Sequence, residues 1–436
     1  MLLEFKAKNY KSFKDETSFS LIPAPKQKGL DYSILKKKVG SKIHKGLCSA
    51  VIYGPNAAGK TNIIGAMEVF KAIALRGNIR NNDDDDNHPN TAVNALELIP
   101  NNLNQNNEPV EFSIKFIENN ILFQYQLSID IGTFLDSDYK RQVLFEELSV
   151  NEKMIYSRSE KLEFGDFDAI KEYLVNEFEG NIEGVKSIAK NNLVDEELFL
   201  TNGFKTMFSA KLVGIINNWL DNKFTIVYRA NALKLTRKFS DSKKQRVYVE
   251  KTIDDAAKLF GINSNALGYM IREGESEAKL CSIFKDNKRS TAIPAEIFES
   301  YGTIRFVNMF PLVINVLQNG GTLIVDEFDA SIHPMALISI INIFHNDDIN
   351  TNKAQLVFNT HNPIFLNSNV FRRDELKFVE RDDETNFSTH YSLSDFRTSG
   401  KNGVRLHEDY MKNYFVSQYG AIKDIDFTSI FESFLN

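Results

Sequence analysis

The octapeptide GPNAAGKT, Gly54–Thr61, constrains this chain more than any other feature. It has the spacing G-x-x-x-x-G-K-[ST]. A short apolar strand, SAVIY from Ser49, precedes it, and a helical pattern follows, with apolar residues at Ile63, Ile64, Met67, Phe70 and Ile73. Such a loop turns its backbone N–H groups toward an anion, and the next helix adds the positive end of its dipole. Gly54 and Gly59 let the backbone close in without Cβ clashes, with Pro55, Asn56, Ala57 and Ala58 making the turn between them. Lys60 supplies a point charge for β- and γ-phosphates. Thr61 offers the hard hydroxyl oxygen that Mg²⁺ prefers, and Asn62 continues into the helix. The expectation is an α/β fold whose loop holds the β- and γ-phosphates of a nucleotide together with Mg²⁺.

Three further segments fit that loop. In LIVDEFDASIHP, Leu323–Pro334, a buried strand ends in two adjacent acids. Asp326 is placed to hold Mg²⁺, and Glu327 to act as the general base on water. In QLVFNTHNP, Gln355–Pro363, a second buried strand ends at Thr360 and His361, and His361 is a candidate partner for a γ-phosphate. In ESYGTIRF, Glu299–Phe306, Ser300 and Gly302 open an amphipathic helix, an arrangement that either caps the helix or binds an anion.

Composition narrows the class. Of 436 residues, 52 are Lys or Arg and 58 are Asp or Glu, a formal charge of −6, which argues against a surface that is basic throughout. The two cysteines, Cys48 and Cys281, are far apart, so neither a disulfide framework nor a cysteine-based zinc site is expected, and the seven histidines show no metal-ligand spacing. No apolar run has the length of a membrane span, and the start MLLEFKAKNYKSF alternates like a strand rather than a signal peptide. A cytoplasmic protein is expected.

Three regions stand out. Residues 1–165 carry the phosphate loop and then a meander of antiparallel strands (VEFSIKFI, ILFQYQLSID, QVLFEELSV). Residues 166–292 read mainly as helices, as in FDAIKEYLVNEFEG and KTIDDAAKLFGI, with Trp219 as a core residue. Residues 293–436 carry the remaining motifs and a closing hairpin, LKFVER with FSTHYS. Between the first helix and the meander lies an Asn- and Asp-rich stretch whose Asp83–Asp86 read as solvated. KLTRKFSDSKKQR, Lys234–Arg246, reads as a solvated loop or a nucleic-acid patch.

In order, GPNAAGKT, ESYGTIRF, VDEFDASIHP and NTH resemble the motifs of ABC-type ATPases of the SMC, RecF and OLD (overcoming lysogenization defect) group. ESYGTIRF, through Ser300, Gly302 and Thr303, resembles their signature, with departures at Tyr301 and Thr303. Within the group the chain is similar to stand-alone abortive-infection ATPases of the AbiL and RloA kind. That likeness rests on NYKSF (Asn9–Phe13) followed by SFSL, on YSLSDF (Tyr391–Phe396) and on YFVSQYGAI (Tyr414–Ile422), and the whole resemblance covers about residues 1–75, 110–160 and 294–422.

The resemblance implies an ABC-type head, a mixed sheet with flanking helices plus an antiparallel subdomain, split by the 166–292 insertion. It implies a homodimer or higher homo-oligomer closed around Mg-ATP, with the signature of one chain at the γ-phosphate of the other and Asp329 across the same interface. Lys11 is expected to approach the nucleotide, and Gln105 lies in the interval of the group's Q-loop glutamine. The implied role is sensor or scaffold for a separate effector in anti-phage defence, with no membrane. A RecF-like DNA-binding ATPase of repair or recombination stays open beside it. A nuclease of the OLD type is disfavoured, because too few residues follow His361 for its Toprim domain, although VERDDE, Val379–Glu384, looks like an acidic metal strand.

Overall fold

The structure is a computed structural model that describes residues 1–25, 27, 29–80, 96–103, 107–134, 139–175, 181–229, 237–238, 246–249, 251–259, 265–271, 277–286, 289–397, 403–405, 408–423 and 426–435. Its centre is a six-stranded sheet in the order Phe224–Val227, Thr322–Val325, Gln355–Asn359, Ser49–Tyr53, Leu376–Arg381, Ser388–Ser392. The first five strands are parallel, and the last closes the sheet as an antiparallel hairpin. Parallel strands must be covered on both faces. Along Ser49–Tyr53 every residue is buried. Ala50 and Ile52 pack into one core with Phe5 and Phe70, whereas Val51 and Tyr53 pack into the other with Val307 and Phe358.

The helix Lys60–Arg76 lies on the first face, with Ile63, Ile64, Met67, Phe70 and Ile73 all buried as the periodicity predicts. It is covered by a seven-stranded antiparallel sheet in the order Leu162–Phe164, Lys153–Arg158, Gln142–Val150, Ile121–Asp130, Val110–Glu118, Leu2–Lys8, Thr17–Ser20. Phe70 bridges the two layers, 5.8 Å from the Phe5 ring and 6.1 Å from the Tyr125 ring. On the second face lie the helices Tyr301–Asn319 and Pro334–Phe344. The architecture is α/β, and the strand meander and the closing hairpin stand where the sequence placed them.

The helical reading of 166–292 needs correction. Helices at Ile182–Lys190, Ala210–Asn218 and Lys251–Leu259 agree with it. Phe224–Val227, however, is a strand of the central sheet, paired in register with Thr322–Val325. Ala266–Ile271, Glu277–Asp286 and Arg289–Pro294 form antiparallel pairs of a separate sheet. FTIV and ALGYMI are short apolar runs rich in β-branched and aromatic residues, which period alone cannot assign to helix or strand. Pairing with a neighbouring strand decides them. Trp219 is fully buried, stacked 3.9 Å from the Phe116 ring centroid. Among the described residues no helix is long and apolar enough to cross a membrane.

Candidate functional site

The Ser49–Tyr53 strand ends at Gly54, whose φ of 157° and contact with the Val379 carbonyl leave no room for a Cβ. Ala57 has φ 63° and Gly59 φ 109°, so the loop curls into a cradle before the helix begins at Lys60. A Cβ on Gly59 would sit 2.6 Å from Ser12 Oγ and 2.7 Å from Ser388 Oγ, so these two hydroxyls press on the loop from outside. Ser388 Oγ donates to the Ala58 carbonyl at 2.6 Å, and Asn62 Nδ2 donates to Ser12 Oγ at 2.8 Å.

Lys60 is 6% exposed, and its ammonium donates to the Gly54 and Pro55 carbonyls at 2.7 and 2.9 Å. Burial pushes it down to about 8, against the pull of the Asp326, Glu327 and Asp329 carboxylates. A cation held at that cost is one that an anion in the cradle stabilises.

The cleft in front of the loop, about 200 Å³, is lined by Asn56–Asn62 together with Glu327, Asn359 and His361. Asp326 follows the Thr322–Val325 strand and is buried. Its Oδ1 accepts from Thr61 Oγ1 at 3.0 Å and from Asn359 Nδ2 at 2.5 Å. Two hard oxygens from facing elements, a hydroxyl and a carboxylate, fit Mg²⁺.

Glu327 comes next, with φ 51°, a left-handed backbone unusual for a residue with a side chain. Three contacts hold that turn. The Glu327 N–H donates to Asn359 Oδ1, and Arg305 Nη2 donates to the Glu327 carbonyl at 2.5 Å and to the Asp326 carbonyl at 3.2 Å. The turn leaves the Glu327 carboxylate exposed at the cleft wall.

His361 lines the same cleft beyond the Gln355–Asn359 strand. Desolvation, with the Lys60 charge behind it, pushes its imidazole below the usual value. A neutral ring of this kind keeps one N–H to donate.

Four of the expected residues do not line this cleft, and three of them, Asp329, Ser300 and Gly302, are expected at a partner's site rather than here. The Lys11 ammonium is paired with Glu97 at 2.6 Å and donates to Tyr228 Oη at 3.1 Å, and it is not among the residues lining the cleft. The neighbour of the loop is Ser12 instead. Asp329 Oδ2 accepts from Thr360 Oγ1 at 2.7 Å, half-buried behind the acid pair. Ser300 lies outside this cleft, where its Oγ accepts the Thr303 N–H at 3.2 Å as a helix cap. Gly302 packs so tightly on the Ser331 carbonyl that a Cβ could not fit. Gln105, Asp83–Asp86 and most of the Lys234–Arg246 stretch lie outside the described residues.

Asn359, Arg305 and Ser12 lie inside the quoted segments NTH, ESYGTIRF and NYKSF, but the sequence reading gave no role to them or to Ser388. The signals present were weak ones: a polar residue closing a buried strand, and a serine beside the predicted Lys11.

The chain matches the family model described as "AAA domain, putative AbiEii toxin, Type IV TA system" over residues 49–367, which runs from the loop strand past His361. The chain belongs to this family. The AAA-domain match spans both the phosphate loop and the acid pair. No curated protein matches the sequence. Among solved structures, this AAA-domain chain is similar to an SMC head bound to the C-winged-helix domain of ScpA, at 12% identity and TM-score 0.38 over 90% of this chain and 97% of that one. It is also similar to the SMC head domain from Thermotoga maritima, at 12% identity and TM-score 0.35 over 90% and 98%.

Proposed function

We propose that this AAA-domain chain is an ABC-type ATPase that binds Mg-ATP in the Gly54–Thr61 cradle and hydrolyses it. The observation that carries the reading is the meeting of Thr61 with Asp326 at 3.0 Å, with Glu327 presented to the same cleft. The loop N–H groups and Lys60 bind the phosphates, for which the ammonium exchanges its two loop carbonyls. Thr61 and Asp326 would hold Mg²⁺, which neutralises phosphate charge and fixes its oxygens.

Glu327 takes the proton of a water whose oxygen attacks the γ-phosphorus. The bond to the β-phosphate oxygen breaks and ADP leaves. His361 donates its ring N–H to a γ-phosphate oxygen. Asn359 and Arg305 hold the turn that aims Glu327.

Ser300 and Gly302 lie outside their own cleft, and a second copy docked head to tail brings them to the γ-phosphate, making a homodimer or larger homo-oligomer. Exposed apolar side chains at Ile297, Phe298 and Tyr301 flank that helix start and favour burial by such a partner. The wider role we assign is a sensor or scaffold controlling a separate effector in anti-phage defence. It is supported by the motif resemblance and by the toxin–antitoxin wording of the family description.

The test is Glu327→Gln. ATP affinity should hold, turnover should fall by about 100-fold or more as a general base is lost, and ATP should trap the variant as a larger species in size-exclusion chromatography. Lys60→Ala should lose ATP affinity. Turnover by Glu327→Gln at the wild-type rate refutes the assignment. Co-purification of the neighbouring gene's product tests the effector role, and its absence from pull-downs in infected cells counts against it.

A further inference from the structure

At the opposite end of the same strand, about 20 Å from the loop by strand rise, lies a second cluster that the ATP chemistry does not use. Cys48 precedes the Ser49–Tyr53 strand. His345 ends the Pro334–Phe344 helix, and Glu375 precedes the Leu376–Arg381 strand. All three are buried, with Cys48 and Glu375 fully enclosed and His345 6% exposed. Their ligand-type atoms, one from each residue, all lie within 4.8 Å of one another.

We propose that Cys48, His345 and Glu375 form a structural zinc site that clamps the base of the central sheet. Thiolate, imidazole and carboxylate are the donor set of protein zinc. His345 Nε2 and Glu375 Oε1 stand 3.5 Å apart. Two ligands at ordinary Zn–N and Zn–O lengths on a tetrahedral centre are separated by about 3.4 Å. The second oxygen of Glu375 is fixed by the Arg372 N–H at 2.8 Å, which aims Oε1 into the cluster as a second shell does. Tyr32 and Phe371 flank the imidazole at 5.5 and 6.0 Å.

Charge balance points the same way. One Zn²⁺ with a thiolate, a carboxylate and a neutral imidazole is neutral, the only inexpensive state for charges buried this deeply. The Ser49 hydroxyl joins two of the three residues, donating to Glu375 Oε1 at 2.6 Å and lying 2.9 Å from His345 Nε2. The Cys48 thiol is enclosed in the same cluster. Metal uptake would form the Zn–S bond and release the thiol proton to solvent. Ser33, buried beside the thiol, and a water are the candidates for the fourth position. The three ligands come from segments that enter the sheet separately, so the ion would pin the strand that feeds the phosphate loop to its two flanking connections.

The experiment uses the full chain, purified without a histidine tag or chelator. Elemental analysis should find about one zinc per chain. Replacement by Co²⁺ should give a thiolate-to-cobalt charge-transfer band in the near ultraviolet. Cys48→Ser should abolish the band and the bound zinc. Cys281→Ser should keep both, since these are the two cysteines of the chain. Where Cys48→Ser fails to fold, X-ray absorption on the wild-type zinc protein decides, with one sulfur and nitrogen or oxygen neighbours expected. A wild-type chain that holds neither zinc nor Co²⁺, or whose cobalt band survives Cys48→Ser, overturns the proposal. Stripping the zinc should lower the melting temperature with or without ATP, so failure here is separable from failure of the ATPase reading.

Discussion

Asn359→Leu removes the amide that joins the two acids, and its cost follows from two hydrogen bonds. Asn359 is 1% exposed. Its Nδ2 donates to the Asp326 carboxylate at 2.5 Å and its Oδ1 accepts the Glu327 N–H. Leucine has a similar volume, so cavity formation adds little. A hydrogen bond to a charged group contributes about 1.5–3 kcal/mol, and a buried donor left unpaired costs about 1–3 kcal/mol. The expected loss of stability is therefore about 3 kcal/mol, read as a lower denaturant midpoint with unchanged slope.

Catalysis should suffer separately. Glu327 sits at φ 51°, a conformation that costs about 1–3 kcal/mol for a residue with a side chain and persists only while its contacts hold. Freed from Asn359, the turn relaxes and the carboxylate leaves its place over the cleft. A penalty of about 2 kcal/mol for returning it corresponds to a roughly 30-fold fall in kcat. The phosphate loop is untouched, so KM for ATP should stay within about threefold. Steady-state ATPase assays on the purified chain give both numbers. A variant with wild-type kcat and a midpoint within the error of the measurement would refute the claim that this amide positions the acids.

Gly59→Ala should lose ATP binding by about 10-fold or more, because φ 109° is closed to alanine and the new methyl meets Ser12 and Ser388; calorimetric titration with a non-hydrolysable ATP analogue checks it. His390 sets an acid limit on stability. Burial, helped by the Lys377 charge, pushes its imidazole down from 6.5 to about 3, and its Nε2 has no partner among the described residues. Between those values the unfolded chain binds a proton the folded chain refuses, so stability is intact above pH 6.5 and falls as pH drops, by about 2 kcal/mol from pH 7 to pH 5. His390→Gln should flatten that stretch of the stability–pH profile, measured by denaturant titration, and an unchanged profile would remove His390 as its cause.

The parts of the site legible in the sequence are those whose chemistry is local in the chain. Gly54, Gly59, Lys60 and Thr61 are fixed by one turn, and Asp326 with Glu327 by one strand end. The parts that were not legible depend on which strands lie side by side. Gln355–Asn359 lies between Thr322–Val325 and Ser49–Tyr53, and that order alone brings Asn359 to both acids. Ser12 and Ser388 meet Gly59 because the first strand's exit and the closing hairpin converge there: the Ser388 N–H donates to the Ser12 carbonyl at 2.8 Å. Cys48, His345 and Glu375 are the extreme case, with no spacing to read and one locus in space. The strand at Phe224–Val227 was lost for a related reason. FTIV is too short to declare its period, and only its parallel partner at Thr322–Val325 decides it.

The position of Arg305 ties together two features that the motifs present as separate. It lies on the helix that Ser300 caps, and its guanidinium grips the carbonyls of both Asp326 and Glu327. Gly302, one turn earlier, rests on the Ser331 carbonyl of the segment that follows those acids. The helix start and the acid turn are thus clamped at two points, one through charge-assisted hydrogen bonds and one through a contact too close for a side chain. A load applied at Ser300 reaches Glu327 through rigid packing rather than through a flexible loop. In the proposed dimer, the phosphate that a chain grips for its partner and the water it activates for itself would therefore be linked through its own Arg305. Arg305→Met should then weaken the dependence of turnover on chain concentration as well as turnover itself. If turnover falls while its concentration dependence stays as in the wild type, Arg305 serves the acid turn alone, and the link between the two sites must run elsewhere.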